Sequence, residues 1–226
     1  DITSIDVTDI ANPKLVAQTD LQYAHLRSNS LSIVGDTMLV AYQSLQPGQP
    51  GTGMGVYDIS NSEEPRQIGF LDTSGPYSRG CHCLWWVDGN YAHLSTGAKD
   101  FKPNDQKDDQ FYMIVDVSNP ENPVEAGRWW MPGTMEGDGH NPVNRHPEFD
   151  SGHRLHNANV YPANPDRAYC AYMDSGTAIV DVSDVSNPIM ISQFNFAPPF
   201  PGFTHTVLPL FSRDLMVVTQ ESVYNN

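Results

Sequence analysis

Three histidines stand at corresponding positions relative to an aspartate that recurs along the chain. His82 and His205 each lie 24 residues after such an aspartate, and His156 lies 40 residues after one, because a long insertion intervenes. Neutral imidazole nitrogens bind zinc, copper and iron, and a metal site needs such ligands on rigid elements around an open position. The three histidines therefore predict a transition metal site for Cu, Fe or Zn, provided that the elements carrying them converge.

Other side chains are candidates to assist the same site. The equivalent place in the first repeat falls at Asn29 or Ser30, and His25 lies a few residues earlier. His140 and His146 lie in the insertion, and His153 follows it. A connection of this length without secondary structure is uncommon unless it is functional or disordered. We expect it at the mouth of the site, as a lid, a ligand donor or a solvated loop.

The histidines also have interpretations without a metal. One of them can act as a general base, or together they can form a hydrogen-bonded plug of polar side chains. A purely structural role, with imidazoles bonded to backbone carbonyls, is a third alternative. The sequence identifies no catalytic nucleophile, since it has no Gly-x-Ser-x-Gly, P-loop or Rossmann glycine pattern.

A second insertion, at residues 97–110, is rich in polar residues and predicts an exposed hairpin tip. Asp105, Asp108 and Asp109 offer carboxylate oxygens, which are the ligands that calcium prefers. Their spacing matches no known calcium loop, so calcium is a secondary candidate.

A repeated turn signature organises the chain that holds these residues. The aspartates Asp6, Asp58, Asp116 and Asp181 each follow apolar residues and precede a proline by seven positions. The Asp, with a Ser or Thr two residues later, predicts a strand that ends in an Asx turn, and the proline then favours an extended exit. The repeated Asp is therefore interpreted as structural.

Each unit reads as four short strands over about 50 to 65 residues, which is typical of β-propeller blades. We predict an all-β fold, a β-propeller with three whole blades and two half-blades. The half-blades span residues 1–20 and 203–220, the blades about 22–72, 77–131 and 153–195, and the insertions 97–110 and 132–152. Either the two half-blades close one shared blade, or a second chain or further blades complete the ring.

The strand sequences Met113-Ile114-Val115-Asp116 and Ala178-Ile179-Val180-Asp181 resemble the LVIVD repeat. The resemblance implies a β-propeller of a bacterial or archaeal protein, often periplasmic, extracellular or displayed at the cell surface. It implies little about chemistry.

The composition restricts the partners. Twelve Lys and Arg against 27 Asp and Glu give a net charge of −15 over 226 residues. Phosphate backbones need clustered basic residues, so a nucleic-acid partner is excluded, and no apolar run is long enough to span a bilayer.

Two functions follow from these patterns. The first is a metal-dependent protein, an enzyme of oxidative or hydrolytic type, that acts on a small molecule in a histidine-lined channel. The second is a secreted or cell-surface interaction module without catalysis, whose channel histidines are structural.

Overall fold

A computed structural model describes residues 2–87, 89–197 and 202–221, which form β-strands and two short 3-10 turns. The strands are β1 (Ile2–Asp6), β2 (Lys14–Thr19), β3 (Leu26–Val34), β4 (Thr37–Ser44), β5 (Gly53–Asp58), β6 (Arg66–Asp72), β7 (Cys81–Trp85), β8 (Tyr91–Thr96), β9 (Phe111–Asp116), β10 (Val124–Trp129), β11 (Asn157–Tyr161), β12 (Asn164–Tyr172), β13 (Gly176–Asp181), β14 (Ile189–Phe194), β15 (Thr204–Leu210) and β16 (Leu215–Gln220). The 3-10 turns are Gln106–Asp108 and Phe211–Arg213.

The strands pair into antiparallel sheets in the order in which they occur along the chain. β3–β6, β7–β10 and β11–β14 each form a four-stranded sheet, which we call sheets I, II and III. β1–β2 and β15–β16 form separate two-stranded sheets. The protein is thus all-β, with several four-stranded meanders, an arrangement consistent with a β-propeller-like fold.

The repeated aspartate ends a strand in the same way in all four units. In each, a carboxylate oxygen accepts a hydrogen bond of 2.8–2.9 Å from the backbone N–H two residues later. The bond closes an Asx turn, which supplies a backbone donor with a partner where the strand pairing stops. The repeated Asp is structural, as the signature predicted.

Apolar side chains pack between successive sheets. One core cluster joins sheets I and II and includes Leu39, Val56, Leu94 and Met113. A second joins sheets II and III. Smaller clusters join the two-stranded sheets to their neighbours, with Ile2 packed on sheet I and Val207 on sheet III. The sheets therefore stack face to face in chain order.

The turn after the third strand of one sheet packs against the outer strand of the preceding sheet. A Cβ at Gly69 would lie 2.2 Å from the carbonyl oxygen of Pro120, and one at Gly127 would lie 1.9 Å from that of Val185. Both glycines lie 11 residues after the repeated Asp. The close approach of backbone to backbone explains the glycine at this repeat position.

The first strand of each sheet lies next to the first strand of the following sheet. β3 contacts β7, β7 contacts β11, and β11 contacts β15. The burial of β3 alternates along its length, which leaves Asn29, Leu31 and Ile33 on a more exposed face. These four inner strands therefore line a common face, and the residues near their beginnings are brought together.

The connection between β8 and β9 differs from the predicted exposed hairpin tip. Asp108 and Asp109 are each only 1 % exposed. Arg79 binds Asp109 and Arg145 binds Asp108 through ion pairs of 2.5 Å. The prediction was wrong for these two residues, because arginines distant in sequence neutralise their carboxylates and allow them to be buried, whereas Lys99, Asp100, Asn104 and Lys107 are exposed as predicted.

The two-stranded sheets carry exposed apolar side chains, among them Ile5 and Leu15 on the first and Leu208 and Val217 on the second. Within the described ranges these two sheets are not hydrogen-bonded to each other. None of the helices in the described part of the chain has the length and apolarity needed to cross a membrane.

Candidate metal centre

The inner strands bring His82, His156 and His205 into direct contact. The Nε2 atoms of His82 and His156 lie 3.1 Å apart. The rings of His156 and His205 pack with their centroids 3.9 Å apart and their planes inclined by 37°. His156 is thus the central member of the group, and the three imidazoles come from sheets II and III and from the β15–β16 sheet.

A β-bulge positions the side chain in three of the inner strands. The pairing of β3, β7 and β15 with the strand that follows each of them skips one residue, and the skipped residues are Asn29, His82 and His205. An extra residue in one strand bends it locally and re-aims the side chain. The bulge therefore explains how residues at the same repeat position point towards the same place, and it establishes Asn29 as the counterpart of the histidines.

Each of the three histidines has its Nδ1 atom engaged by a side-chain oxygen. The partners are Gln43 Oε1 at 3.0 Å from His82, Asn157 Oδ1 at 3.1 Å from His156 and Thr206 Oγ1 at 2.7 Å from His205. Such partners fix the orientation and tautomer of a metal-binding imidazole. The arrangement leaves Nε2 as the nitrogen that each ring presents to its neighbours.

The surroundings of two of these histidines keep them neutral. Burial lowers the pKa of His82 to about 3, and His156, Arg27, Arg154 and Arg79 lower it further by charge repulsion. Burial and His205 lower the pKa of His156 to about 4. At neutral pH both imidazoles are therefore uncharged, which is the form that binds a metal ion.

Glu221, which the sequence patterns did not single out, joins the group. Its Oε2 lies 3.9 Å from Nε2 of His205, and its backbone N–H donates to the carbonyl of Phe203. One ligand atom each from His156, His205 and Glu221 fall within 4.8 Å of one another, so these three residues could hold a metal ion. Glu221 directly follows β16, and only the pairing of β15 with β16 places it beside His205.

The remaining predicted residues have other partners. Asn29 donates to the carbonyl oxygen of His82 at 2.9 Å, and its Nδ2 lies 3.0 Å from Nδ1 of the same residue. His25 contacts the carbonyl of Pro50 and stacks on Tyr23. Within the described residues, Asn29 is thus the one of the five helpers in contact with the histidine group. The other three lie in the insertion or directly after it.

Residues 132–152 form a separate site with His153. His146 stacks on Phe149, and His153 lies 2.6 Å from Ser175 Oγ. His146 and His153 line a cavity of about 240 Å³ together with Arg145 and Asp174. The imidazole of His140 is exposed, and its backbone N–H donates to Asp138. The insertion histidines are therefore held by contacts of their own.

The fold and the site together define the class of the molecule: an all-β repeat protein of propeller-like, four-stranded sheets with a histidine cluster where the inner strands meet. Within this class, the LVIVD repeat model matches residues 107–130 and 166–195. The first match covers β9 and β10, and the second runs from β12 to the end of β14. The chain thus contains LVIVD repeats in sheets II and III. No curated protein matches this chain.

Proposed function

We propose that the protein binds a transition metal ion where the inner strands meet, and that this ion serves an oxidative or hydrolytic reaction on a small molecule. His82, His156 and His205 are the proposed nitrogen ligands, with Glu221 as an oxygen ligand. The observation that supports this function best is the common orientation of the three rings. Each ring has Nδ1 next to a side-chain oxygen. Nε2 of His82 faces Nε2 of His156, and Nε2 of His205 lies 3.9 Å from Oε2 of Glu221.

The distance between Nε2 of His82 and Nε2 of His156 agrees with a shared ion, whereas the ligand atoms that lie within 4.8 Å of one another belong to His156, His205 and Glu221. Bonds of about 2.0–2.1 Å from imidazole nitrogens to zinc place two ligand nitrogens of one ion about 3 Å apart. The Nε2 atoms of His82 and His156 lie 3.1 Å apart. A set of imidazoles and one carboxylate suits Zn, Cu or Fe rather than Mg or Ca, which prefer oxygen ligands.

A bound ion of this kind polarises a substrate oxygen or lowers the pKa of a bound water molecule. The chain's own contribution is the rigid placement of the imidazoles. The rings are carried by strands or their immediate flanks and are oriented by Gln43, Asn157 and Thr206, so little reorganisation is needed on binding.

The experiment is a metal titration of the chelator-treated protein, combined with elemental analysis of the protein as purified. We expect about one Zn, Cu or Fe ion per chain, and loss of this ion in His156→Ala. His140→Ala is the matched control, because His140 is exposed and lies outside the group. Absence of metal binding, or equal binding by both variants, would contradict the proposal and favour the non-catalytic interaction module.

A further inference from the structure

Three arginines surround the histidine group from three different sheets. Arg27, Arg79 and Arg154 each precede the channel residue of their inner strand by two or three positions. Arg27 and His82 both contact Oε1 of Gln43, and Arg79 and Arg154 lie beside the same carboxylate, that of Asp109. A chain with a net charge of −15 thus places three of its 12 basic residues directly before the residues that its inner strands bring together.

The positive charge of this cluster is only partly compensated. Arg79 forms a two-pronged ion pair with Asp109. Arg154 lies 3.9 Å from the same carboxylate and also donates to the carbonyl of Lys107. Among the described residues Arg27 has no ion pair, and its guanidinium donates to Gln43 Oε1. The carboxylate of Asp109 thus lies beside two guanidinium groups, and the guanidinium group of Arg27 has no carboxylate partner.

The carboxylates further away do not remove this excess at His82. Asp108 is bound by Arg145, and Asp174 accepts hydrogen bonds from two backbone N–H groups. Among the described residues neither of them forms an ion pair with Arg27, so the guanidinium group beside Gln43 and His82 is not neutralised.

Two buried donors in this region lack an acceptor. Gln43 is fully buried, and its Nε2 amide has no hydrogen-bond partner in the described part of the chain. The same holds for Nε of Arg154. Because Oε1 of Gln43 accepts from Arg27 and faces His82 Nδ1, the orientation of its amide group is set. Buried donors without acceptors are unfavourable, and an oxyanion would relieve them.

We infer that the channel beside His82 binds the oxyanionic group of a small molecule, a carboxylate or a phosphate, through Arg27, Arg154 and Gln43. Guanidinium groups match carboxylate and phosphate oxygens with two parallel hydrogen bonds. Arg27 also lines a cavity of about 580 Å³ with Ser44 and Gln46, so its side chain can be reached by a small molecule from that side. The inference deepens the proposed function and rests on it, because it names the class of substrate for the same channel.

The test measures anion binding without metal. Chelator-treated protein is titrated calorimetrically with oxalate and, separately, with inorganic phosphate, against chloride at equal ionic strength. We expect saturable binding of at least one of the two oxyanions, and about tenfold weaker binding in Arg27→Gln. Comparison of the oxalate and phosphate titrations identifies the oxyanion that binds more tightly. Arg66→Gln is the control, since Arg66 is exposed and pairs with Asp58 at the surface.

Three variants separate the failure of this inference from the failure of the metal site. His156→Ala is expected to lose the metal and to keep oxyanion binding, whereas Arg27→Gln keeps the metal. Gln43→Leu removes the unpaired amide and should weaken the oxyanion as Arg27→Gln does. If neither oxyanion binds the wild type, or if Arg27→Gln and Arg66→Gln bind equally well, the inference is wrong even where the metal titration succeeds.

Discussion

His82 and His156 face each other across the junction of sheets II and III, with 3.1 Å between their Nε2 atoms. If each ring donates its Nδ1 hydrogen to the amide oxygen beside it, Gln43 Oε1 or Asn157 Oδ1, two lone pairs point at each other. The proposed metal ion would relieve this repulsion. In the other tautomer Asn29 donates to Nδ1 of His82, and Nε2–H of His82 donates to His156. The contacts of the pair are therefore compatible with both a metal-binding and a hydrogen-bonded tautomer.

The hydroxyl of Thr206 is predicted to support the metal through His205. Thr206→Val keeps the shape of the side chain but removes the oxygen 2.7 Å from Nδ1 of His205. We expect roughly tenfold weaker metal binding, because partners of this kind orient the ligand ring. Metal titration of the chelator-treated protein measures this affinity. Thr219→Val is the control, since Thr219 pairs with Thr206 in the sheet, and equal affinities for both variants would refute this role.

Burial of His93 is predicted to make the fold sensitive to acid. Burial lowers the pKa of His93 to about 3, while Nδ1 contacts the hydroxyl of Tyr112 at 2.7 Å. Between about pH 6.5 and pH 3 the unfolded chain binds a proton at this residue and the folded chain does not. Stability therefore falls as the pH falls through this window, by up to about 1.4 kcal/mol per pH unit for this group.

Chemical denaturation of the metal-free protein between pH 7 and pH 4 measures this slope. His93→Gln, which keeps a hydrogen-bonding group for Tyr112, is expected to make the slope shallower. His140→Gln removes an exposed imidazole and should leave it unchanged. Identical slopes in His93→Gln and the wild type would show that His93 does not contribute.

The glycine in the outer strand of sheet II is predicted to be essential for the packing of sheet III. A Cβ at Gly127 would lie 1.9 Å from the carbonyl oxygen of Val185. We expect Gly127→Val to lower the free energy of unfolding by about 1–3 kcal/mol, through overpacking. Ser192→Val changes the same repeat position where the side chain is exposed, and thermal or chemical unfolding should show little effect. Equal effects would contradict the close-packing explanation.

The buried ion pair of Asp109 is predicted to stabilise the connection between β8 and β9. Asp109→Asn leaves Arg79 without its counter-charge, and we expect a loss of about 3–5 kcal/mol in the free energy of unfolding. Asp100→Asn breaks an ion pair of Arg128 in which Asp100 is 70 % exposed, and should cost at most about 1 kcal/mol. Urea denaturation of both variants measures the two losses, and a small effect of Asp109→Asn would show that the buried ion pair does not stabilise the fold.

Local patterns determined the repeat. The strand before Asp116, the Asx turn at that residue and the proline exit depend on neighbours a few positions away, so the sequence alone predicted them. The same reasoning predicted the all-β fold, and the resemblance of two strand sequences predicted the LVIVD repeats; both are confirmed. It also selected His82, His156 and His205, whose role as metal ligands stays a prediction.

The tertiary structure decided which atoms meet. Gln43 and Glu221 are far from His82 and His156 in sequence, and only the stacking of the sheets and the pairing of β15 with β16 place them at the group. The burial of Asp109 likewise depends on Arg79, 30 residues away. A contact between distant segments has no local signature, because it depends on how the whole stack of sheets is packed, and the sequence could therefore identify the histidines but not their partners.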